Sequence, residues 1–287
     1  MQKIESIPKL PPRPKDSHKG MFGRICIIAG SLGMTGAAAL TGRAALRAGA
    51  GLVRIATPKS ALPIVASIDP CYTTIPLEED SGGRISLKAL KSILKAAEEN
   101  DILAIGPGMG ISRDLQTIIL DLIQKQNLTL VIDADGLSNL AKIAGWHKKA
   151  KAQIILTPHP GEMQRLWKSL SRDVLPGDRI QQAAIFAEQT ATVTVLKGAD
   201  TVVADRDRFY VNTTGNPGMA AAGSGDCLTG IIAALLGQKM SPFNAAQLAV
   251  YVHGLAGDIA AEKKGQISLI ATDIIDSLPE AFMNMNR

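Results

Sequence analysis

Aromatic side chains are scarce in this 287-residue sequence: two Trp, three Tyr and five Phe amount to 3% of positions. Ten rings leave little on which to stack the bases of a single strand, so a nucleic-acid binder of that kind is excluded. Cysteine is scarcer still. Cys26, Cys71 and Cys227 are odd in number, far apart and without CxxC spacing, which rules out a disulfide frame or a zinc site and fits a reducing cytoplasm. The start is polar and proline-rich (Pro8, Pro11, Pro12, Pro14), with no apolar stretch of signal-peptide length. The uncharged run 25–42 holds four glycines plus Ser31, Thr35 and Thr41 and opens as a strand, so no membrane span is expected. A strong charge excess is missing too. Residues 1–24 hold six basic and two acidic residues, leaving 25 basic against 24 acidic elsewhere, too even for a phosphate-backbone face. The P-loop pattern GxxxxGK[ST] is absent, and Gly106, Gly108 and Gly110 give GxGxG rather than the GxGxxG of a dinucleotide-binding Rossmann turn. A tight strand-to-helix turn explains those glycines as well as a binding role does.

What is present is 46% hydrophobic residues, 20% charged residues and 27 glycines, a composition for a layered α/β core of Ala, Ile, Leu and Val packed close to glycine backbone. Short β-branched runs at 24–29, 52–56, 101–105, 128–132, 153–156 and 193–196 predict strands buried on both faces of a mostly parallel sheet. Helical periodicity falls between them at 35–48, 87–98, 113–125 and 179–188, and closes the chain at 225–237, 242–262 and 272–282. Ser86 and Ser112 stand where N-caps are expected. The expected organisation is a proline-rich basic segment, 1–23, followed by one continuous α/β domain, 24–287.

In such sheets ligands bind beyond the carboxyl ends of the strands, and the residues there are rich in functional groups. Gly223-Ser224-Gly225-Asp226 runs directly into a helical stretch. Small side chains leave its N–H groups uncovered, and the helix dipole favours a phosphate. Asp226 in the first turn could take a proton from a hydroxyl that attacks phosphorus; a plain helix-capping Asp is the competing reading. His159 lies between two prolines that keep the segment extended, with Glu162 in the first turn of the next helix. A metal-water or substrate role and a solvated His beside a capping Glu are both open. His18, His147 and His253 show no ligand spacing, and His253 on an Ala-rich helix is expected to be packed or partly exposed.

Taken in order, Gly30-Ser31 with Gly36-Ala37-Ala38, Gly106 to Gly110, Asp133-Ala134-Asp135-Gly136, Thr157-Pro158-His159-Pro160-Gly161-Glu162, Lys197-Gly198-Ala199-Asp200-Thr201 and Asn216-Pro217-Gly218-Met219 through Asp226 resemble the ADP-dependent NAD(P)H-hydrate dehydratases. The likeness spans nearly the whole chain from about Ser17. It implies a three-layer ribokinase-like fold, with helices on both faces of a mostly parallel sheet. It also implies repair of NADH and NADPH whose reduced ring has gained water, with ADP as co-substrate giving AMP and phosphate.

By the same resemblance Asp226 is the catalytic carboxylate, and Ala37, Gly108, Gly110, His159 and Asp226 meet the hydrated dinucleotide. Lys197, Gly198, Ala199, Asp200, Thr201, Asn216, Gly223, Ser224 and Gly225 meet the nucleotide. Glu162 resembles the acidic member of a magnesium-water motif and would reach Mg2+ through water; the sequence departs from related kinases, which carry Asn at the place of His159. A cytoplasmic homo-oligomer, a tetramer by resemblance, is expected, with no nucleic-acid or membrane partner. The first strand near Arg24 leaves no room for the epimerase domain some members carry, so the functional partner is expected to be a separate NAD(P)H-hydrate epimerase. Two other readings share Asp226 and the glycine loop: an ATP-dependent kinase for a vitamin-precursor alcohol, and a nucleotide-sensing protein without turnover.

Overall fold

The computed structural model describes residues 1–171 and 173–285. Its strands are β1 (Gln2–Lys3), β2 (Arg24–Ile28), β3 (Leu52–Pro58), β4 (Thr73–Leu77), β5 (Ile102–Ile105), β6 (Thr129–Ile132), β7 (Gln153–Leu156), β8 (Val193–Leu196), β9 (Val202–Ala204) and β10 (Arg208–Val211). Among the described residues they form one sheet in the order β1-β10-β9-β8-β7-β6-β5-β2-β3-β4. Strands β2 to β8 pair in parallel, while β9 is antiparallel to both of its neighbours.

Alternation along β2 shows how the sequence builds the layers. Ile25 and Ile27 point to one face and Cys26 and Ile28 to the other, and all four are fully buried. On the first face lie α1 (Thr35–Arg47), α2 (Leu62–Ile68), α9 (Ser224–Gly237), α10 (Pro242–Lys264) and α11 (Ala271–Asn284). The second face carries α3 (Leu90–Glu99), α4 (Arg113–Ile123), α5 (Asp135–Leu140), α6 (Trp146–Lys149), α7 (Pro160–Leu170) and α8 (Arg179–Thr190). This is the three-layer α/β architecture that the composition and the resemblance imply. Every residue of α9 from Cys227 to Gly237 is buried, because the helix lies between the sheet and α1, α10 and α11. Its contact with α1 is so close that a Cβ on Gly230 would fall 2.2 Å from the Thr41 carbonyl oxygen. Among the described residues no helix is long and apolar enough to cross a membrane.

The N-terminal segment lies along the domain. β1 pairs with β10, the Ser6 carbonyl accepts a hydrogen bond from Gln247 at 2.8 Å, and Ile4, Ile7 and Leu10 pack on the core. Arg13 stacks over the Phe22 ring at 3.9 Å and donates to the Gly49 carbonyl at 2.7 Å.

All six expected strands and the seven expected helices are present, with ends displaced by a few residues. The sequence reading lacked β1, β4, β9 and β10. β4 is an outer strand whose run Thr73-Thr74-Ile75-Pro76-Leu77 is broken by a proline that only an edge tolerates, which hides it from a search for buried runs. Ser112 caps α4, accepting from the Leu115 N–H at 3.1 Å. Ser86 does not cap. Its hydroxyl donates to the Glu78 carbonyl at 3.2 Å, the helix opens with a 3-10 turn at Leu87–Ala89, and the Leu87 N–H is taken by Asp114 at 2.8 Å.

The order places a topological switch between β2 and β5. From β2 the chain proceeds to β3 and β4 on one side, and from β5 it proceeds to β6, β7 and β8 on the other. A crevice at the carboxyl ends of the strands is the expected result.

Candidate active site

Two structures stand at that end of the sheet. The first is a cavity of about 730 Å³ over β8 and β9, a volume suited to one small-molecule ligand. Its walls come from the β8–β9 turn (Lys197 to Thr201), the segment 212–221 and the start of α9, with His159 and His253 on opposite sides. Lys197, Gly198, Ala199, Asp200, Thr201, Asn216, Ser224 and Gly225 line it together, and Gly223 lies behind, as the N-cap of α9. The turn is held from within by Thr201, which donates to the Gly198 carbonyl at 2.8 Å. From behind, Arg179 donates to the Leu196 and Lys197 carbonyls at 2.9 and 3.1 Å.

The opposite wall is tied to α10. Asp258 accepts from the Gly215 N–H at 2.8 Å and the Asn216 amide at 2.9 Å, and Thr214 donates to the Tyr251 carbonyl at 2.8 Å. Asn216 also accepts from the Gly218 N–H at 3.0 Å, so its side chain shapes the loop it sits in.

The second structure is a shelf of backbone at the switch between β2 and β5. Gly30 donates to the Pro107 carbonyl and the Ser31 hydroxyl to the Gly108 carbonyl, both at 2.8 Å. From the other side Asp135 accepts from the Gly110 N–H at 2.9 Å, and Asn139 donates to its carbonyl at 2.8 Å. Gly108 has a φ of 62°, and a Cβ there would stand 2.9 Å from both the Ala37 Cβ and the Met34 carbonyl oxygen. Gly108 thus packs directly on Ala37 with no room for a side chain, and a Cβ on Gly110 would stand 3.0 Å from the Arg84 side chain.

Between the two lies the start of α9. Gly223, with φ at 87°, makes the left-handed turn into the helix, and Gly225 is already helical. Asp226 is the third helical residue. Its pKa is pushed up to about 7 by burial and by the neighbouring charge of Asp133, with Asp135 adding to the rise and Lys197 opposing it. A carboxyl so poised can exchange a proton near neutrality.

Beneath it, Asp133 at the end of β6 is 1% exposed and fully engaged. It accepts from Thr157 at 2.7 Å, from Lys197 at 2.6 Å and from Thr229 at 2.8 Å. Burial alone would lower the Lys197 pKa, but Asp133 and Glu162 outweigh it and hold the ammonium charged.

His159 and Glu162 form a reciprocal cap on α7. The His159 Nδ1 accepts from the Gly161 N–H at 3.0 Å, and Glu162 accepts from the His159 N–H at 2.8 Å. The imidazole is half-exposed on the cavity wall; burial together with Lys197 and Arg165 lowers its pKa. Glu162 is buried, which raises its pKa. Among the described residues no three His, Cys, Asp or Glu side chains converge to hold a metal. Magnesium carried by nucleotide phosphates needs no such cage, since it keeps several of its waters. Glu162, with one oxygen on its own helix cap and the other 3.5 Å from the His159 ring, suits such an ion only through water.

Sequence reasoning missed Asp133, Asp258 and His253 as site residues. His253 is on the cavity wall, half-buried, with Nε2 3.3 Å from the Ser224 hydroxyl, and burial pushes its pKa down to about 4. Position at a strand end was the available signal for Asp133; nothing in the spacing of α10 singled out the other two.

The family model for NAD(P)H-hydrate dehydratase matches residues 25–280. A bifunctional NAD(P)H-hydrate repair enzyme, Nnr, of Moorella thermoacetica is 44% identical over 282 residues, covering 97% of this chain and 53% of that protein. The chain thus spans about half the length of the curated relatives it matches. An ADP/ATP-dependent NAD(P)H-hydrate dehydratase from Bacillus subtilis, co-crystallized with ATP/Mg2+, superimposes with a TM-score of 0.82 at 32% identity, over 96% of this chain and 94% of that one. Ribokinase of Thermotoga maritima, at 16% identity and a TM-score of 0.54 over 90% of this chain and 99% of that one, shares the fold alone. With a family model matching from β2 into α11, this chain belongs to the NAD(P)H-hydrate dehydratase family.

Proposed function

We propose that this protein removes water from hydrated NADH and NADPH, consuming ADP and releasing AMP and phosphate. The observation that carries the reading is the position of Asp226, whose charged neighbours come from both halves of the site. Lys197 lines the cavity, and Asp135 supports the shelf. A nucleotide in the cavity and a dinucleotide on the shelf would meet at the first turn of α9. Hydroxide is a poor leaving group, so the ring hydroxyl must first be made a better one. Asp226 takes its proton as the oxygen attacks the terminal phosphorus of ADP; the new O–P bond forms, the bridging P–O bond breaks, and AMP leaves. The Ser224 N–H is spent on the Ala221 carbonyl, so the Gly225 N–H and the helix dipole would stabilise the charge that grows on the phosphoryl oxygens. The ring nitrogen's lone pair then expels phosphate, and loss of a proton from the adjacent carbon restores the double bond. Mg2+ would neutralise the nucleotide phosphates when bound, with Glu162 reaching it through water.

Residues 198–201 and Ser224 would hold the adenylate portion, and Ala37, Gly108, Gly110 and His159 the hydrated dinucleotide. The Bacillus subtilis relative is named ADP/ATP-dependent, and ADP is the donor proposed for this chain. The test is product analysis with hydrated NADH and each nucleotide in turn. Phosphorus NMR should show AMP and inorganic phosphate in equal amounts with the regained dihydronicotinamide absorbance. In a parallel mixture supplied with a small precursor alcohol, a persistent phosphomonoester of that alcohol, with no gain in absorbance from hydrated NADH, would overturn the dehydratase reading in favour of a vitamin-precursor kinase.

A further inference from the structure

Lys197 opens the turn that lines the nucleotide cavity, yet its side chain leaves the turn and runs toward the start of α9. A Cβ placed on Gly225 would stand 3.3 Å from the Lys197 Nζ and 3.9 Å from Asp133 Oδ2. The ammonium is therefore at the α9 end of the cavity, away from the outer rim formed by the exposed residues Ala199 and Asp200. Its side chain is 19% exposed, and of its three N–H donors one meets a protein acceptor at hydrogen-bond distance, Asp133 at 2.6 Å. The next carboxylate, Glu162, is 3.9 Å away, beyond that distance. Donors remain for a ligand entering from the cavity.

The partner is built differently. Both Asp133 carboxylate oxygens already accept, from Thr157, Lys197 and Thr229, which fixes the group in place. A buried pair of this kind adds little net stability compared with an apolar pair of similar volume. The surroundings also need a cation. Asp133 and Asp135 face Asp226 as acidic groups and Lys197 as the basic one, Glu162 and Arg165 approach from α7, and His253 from α10 is held neutral. An incoming phosphate would otherwise meet an acidic end wall.

We propose that Lys197 is the cation that receives the terminal, transferring phosphoryl group of the nucleotide at the Gly225 turn, and that Asp133 is its positioning residue. The adenylate contact then falls to Gly198, Ala199, Asp200 and Thr201, with Ser224. This deepens the phosphoryl-transfer reading above and rests on it.

The two roles differ in a binding measurement that requires no hydrated dinucleotide. By calorimetry on the full chain with magnesium, Lys197→Met should weaken ADP by about tenfold or more, the scale of a lost charge-assisted bond, and leave AMP within about twofold. Lys197→Arg should recover part of the preference for ADP. Asp133→Asn should reduce that preference by less than Lys197→Met, because the ammonium stays but loses its anchor. Removing the lysine alone leaves a buried carboxylate unpaired and endangers the fold. The double variant Lys197→Met/Asp133→Asn removes both members of the close pair, with Glu162 losing only a cation 3.9 Å away, and it should fold with the preference for ADP lost. Equal weakening of ADP and AMP would return Lys197 to the adenylate and overturn the proposal. Unchanged affinity for both nucleotides in the folded double variant would overturn it as well, leaving the pair a part of the fold only. A kinase outcome in the product analysis is a separate result, and the same discrimination would then be read as ATP over ADP.

Discussion

The cavity over β8 and β9 and the shelf between β2 and β5 solve the problem of holding a ligand in opposite ways. The cavity is shaped by side chains. Thr201, Asn216, Thr214, Asp258 and Arg179 each tie a loop by hydrogen bonds of 2.8 to 3.1 Å, and the space is what those loops leave open. The shelf is shaped by the lack of side chains, since Gly108 admits no Cβ beside Ala37 and Met34. Loops tied by side chains can lose one tie and keep their outline with weaker binding. A surface made of backbone offers no such gradation, because the first atom added at Gly108 collides with Ala37 and Met34 and displaces the surface itself.

Substitutions can break that contrast or sharpen it. Asp226 belongs to both halves, and Asp226→Asn should lower kcat by roughly a hundredfold to ten-thousandfold while ADP still binds, as expected for loss of a positioned base. Near-wild-type turnover would leave Asp226 a helix cap only. In the unmodified enzyme the base must be ionised, so kcat/KM should rise through about pH 7 and level off above it. Since Asp133 raises the Asp226 pKa, Asp133→Asn should move that rise to lower pH.

On the shelf, Gly108→Val should raise KM for the hydrated dinucleotide by tens of fold, the order expected when an ordered contact is replaced by a clash, with calorimetric ADP affinity unchanged. A matching loss of ADP affinity would mean that shelf and cavity are not independent. On the cavity side, Asp258→Ala frees two donors, the Gly215 N–H and the Asn216 amide, and should weaken ADP by about tenfold with the dinucleotide KM unaltered. The smallest effect is expected from His159→Ala. Titrating each substrate in turn should show KM for the dinucleotide up a few-fold and that for ADP unmoved. The lost helix cap should lower the thermal midpoint by a few degrees, for a cost of about 1 kcal/mol.

The sequence carries the layers and one of the site's two construction methods. Runs such as Ile25-Cys26-Ile27-Ile28 are apolar on both sides of the strand, so they predict a buried parallel sheet, and Gly223 to Asp226 announces a helix start with a carboxylate in its first turn. Glycine motifs are local and mark the shelf, although the bonds that assemble it join residues as far apart as Ser31 and Gly108. The ties made by Asp133 and Asp258 are likewise distant along the chain, and no motif marks them. Asp133 draws its donors from positions 157, 197 and 229, and Asp258 holds a loop 42 and 43 residues before it. No periodicity marks such residues; topology brings them together. His253 fails for the same reason, because its neighbour Ser224 is on another helix. Ser86 has the right residue type for a cap, but the bridge between Glu79 and Ile85 draws its hydroxyl to Glu78.

The close seat of Gly230 on the Thr41 carbonyl removes a hinge from this molecule. Ala37 stands in the first turn of α1 and Asp226 in the first turn of α9, and the two helices are locked with no space for even a methyl group at Gly230. The spacing between shelf and base is thus set by a rigid pair, which is what bringing a hydroxyl and a phosphorus to one distance requires. Amide exchange should report that rigidity: protons of α9 from Leu228 to Leu236 should wait for global unfolding, while those of the exposed residues Leu32 and Gly33, which border the shelf, exchange through local opening.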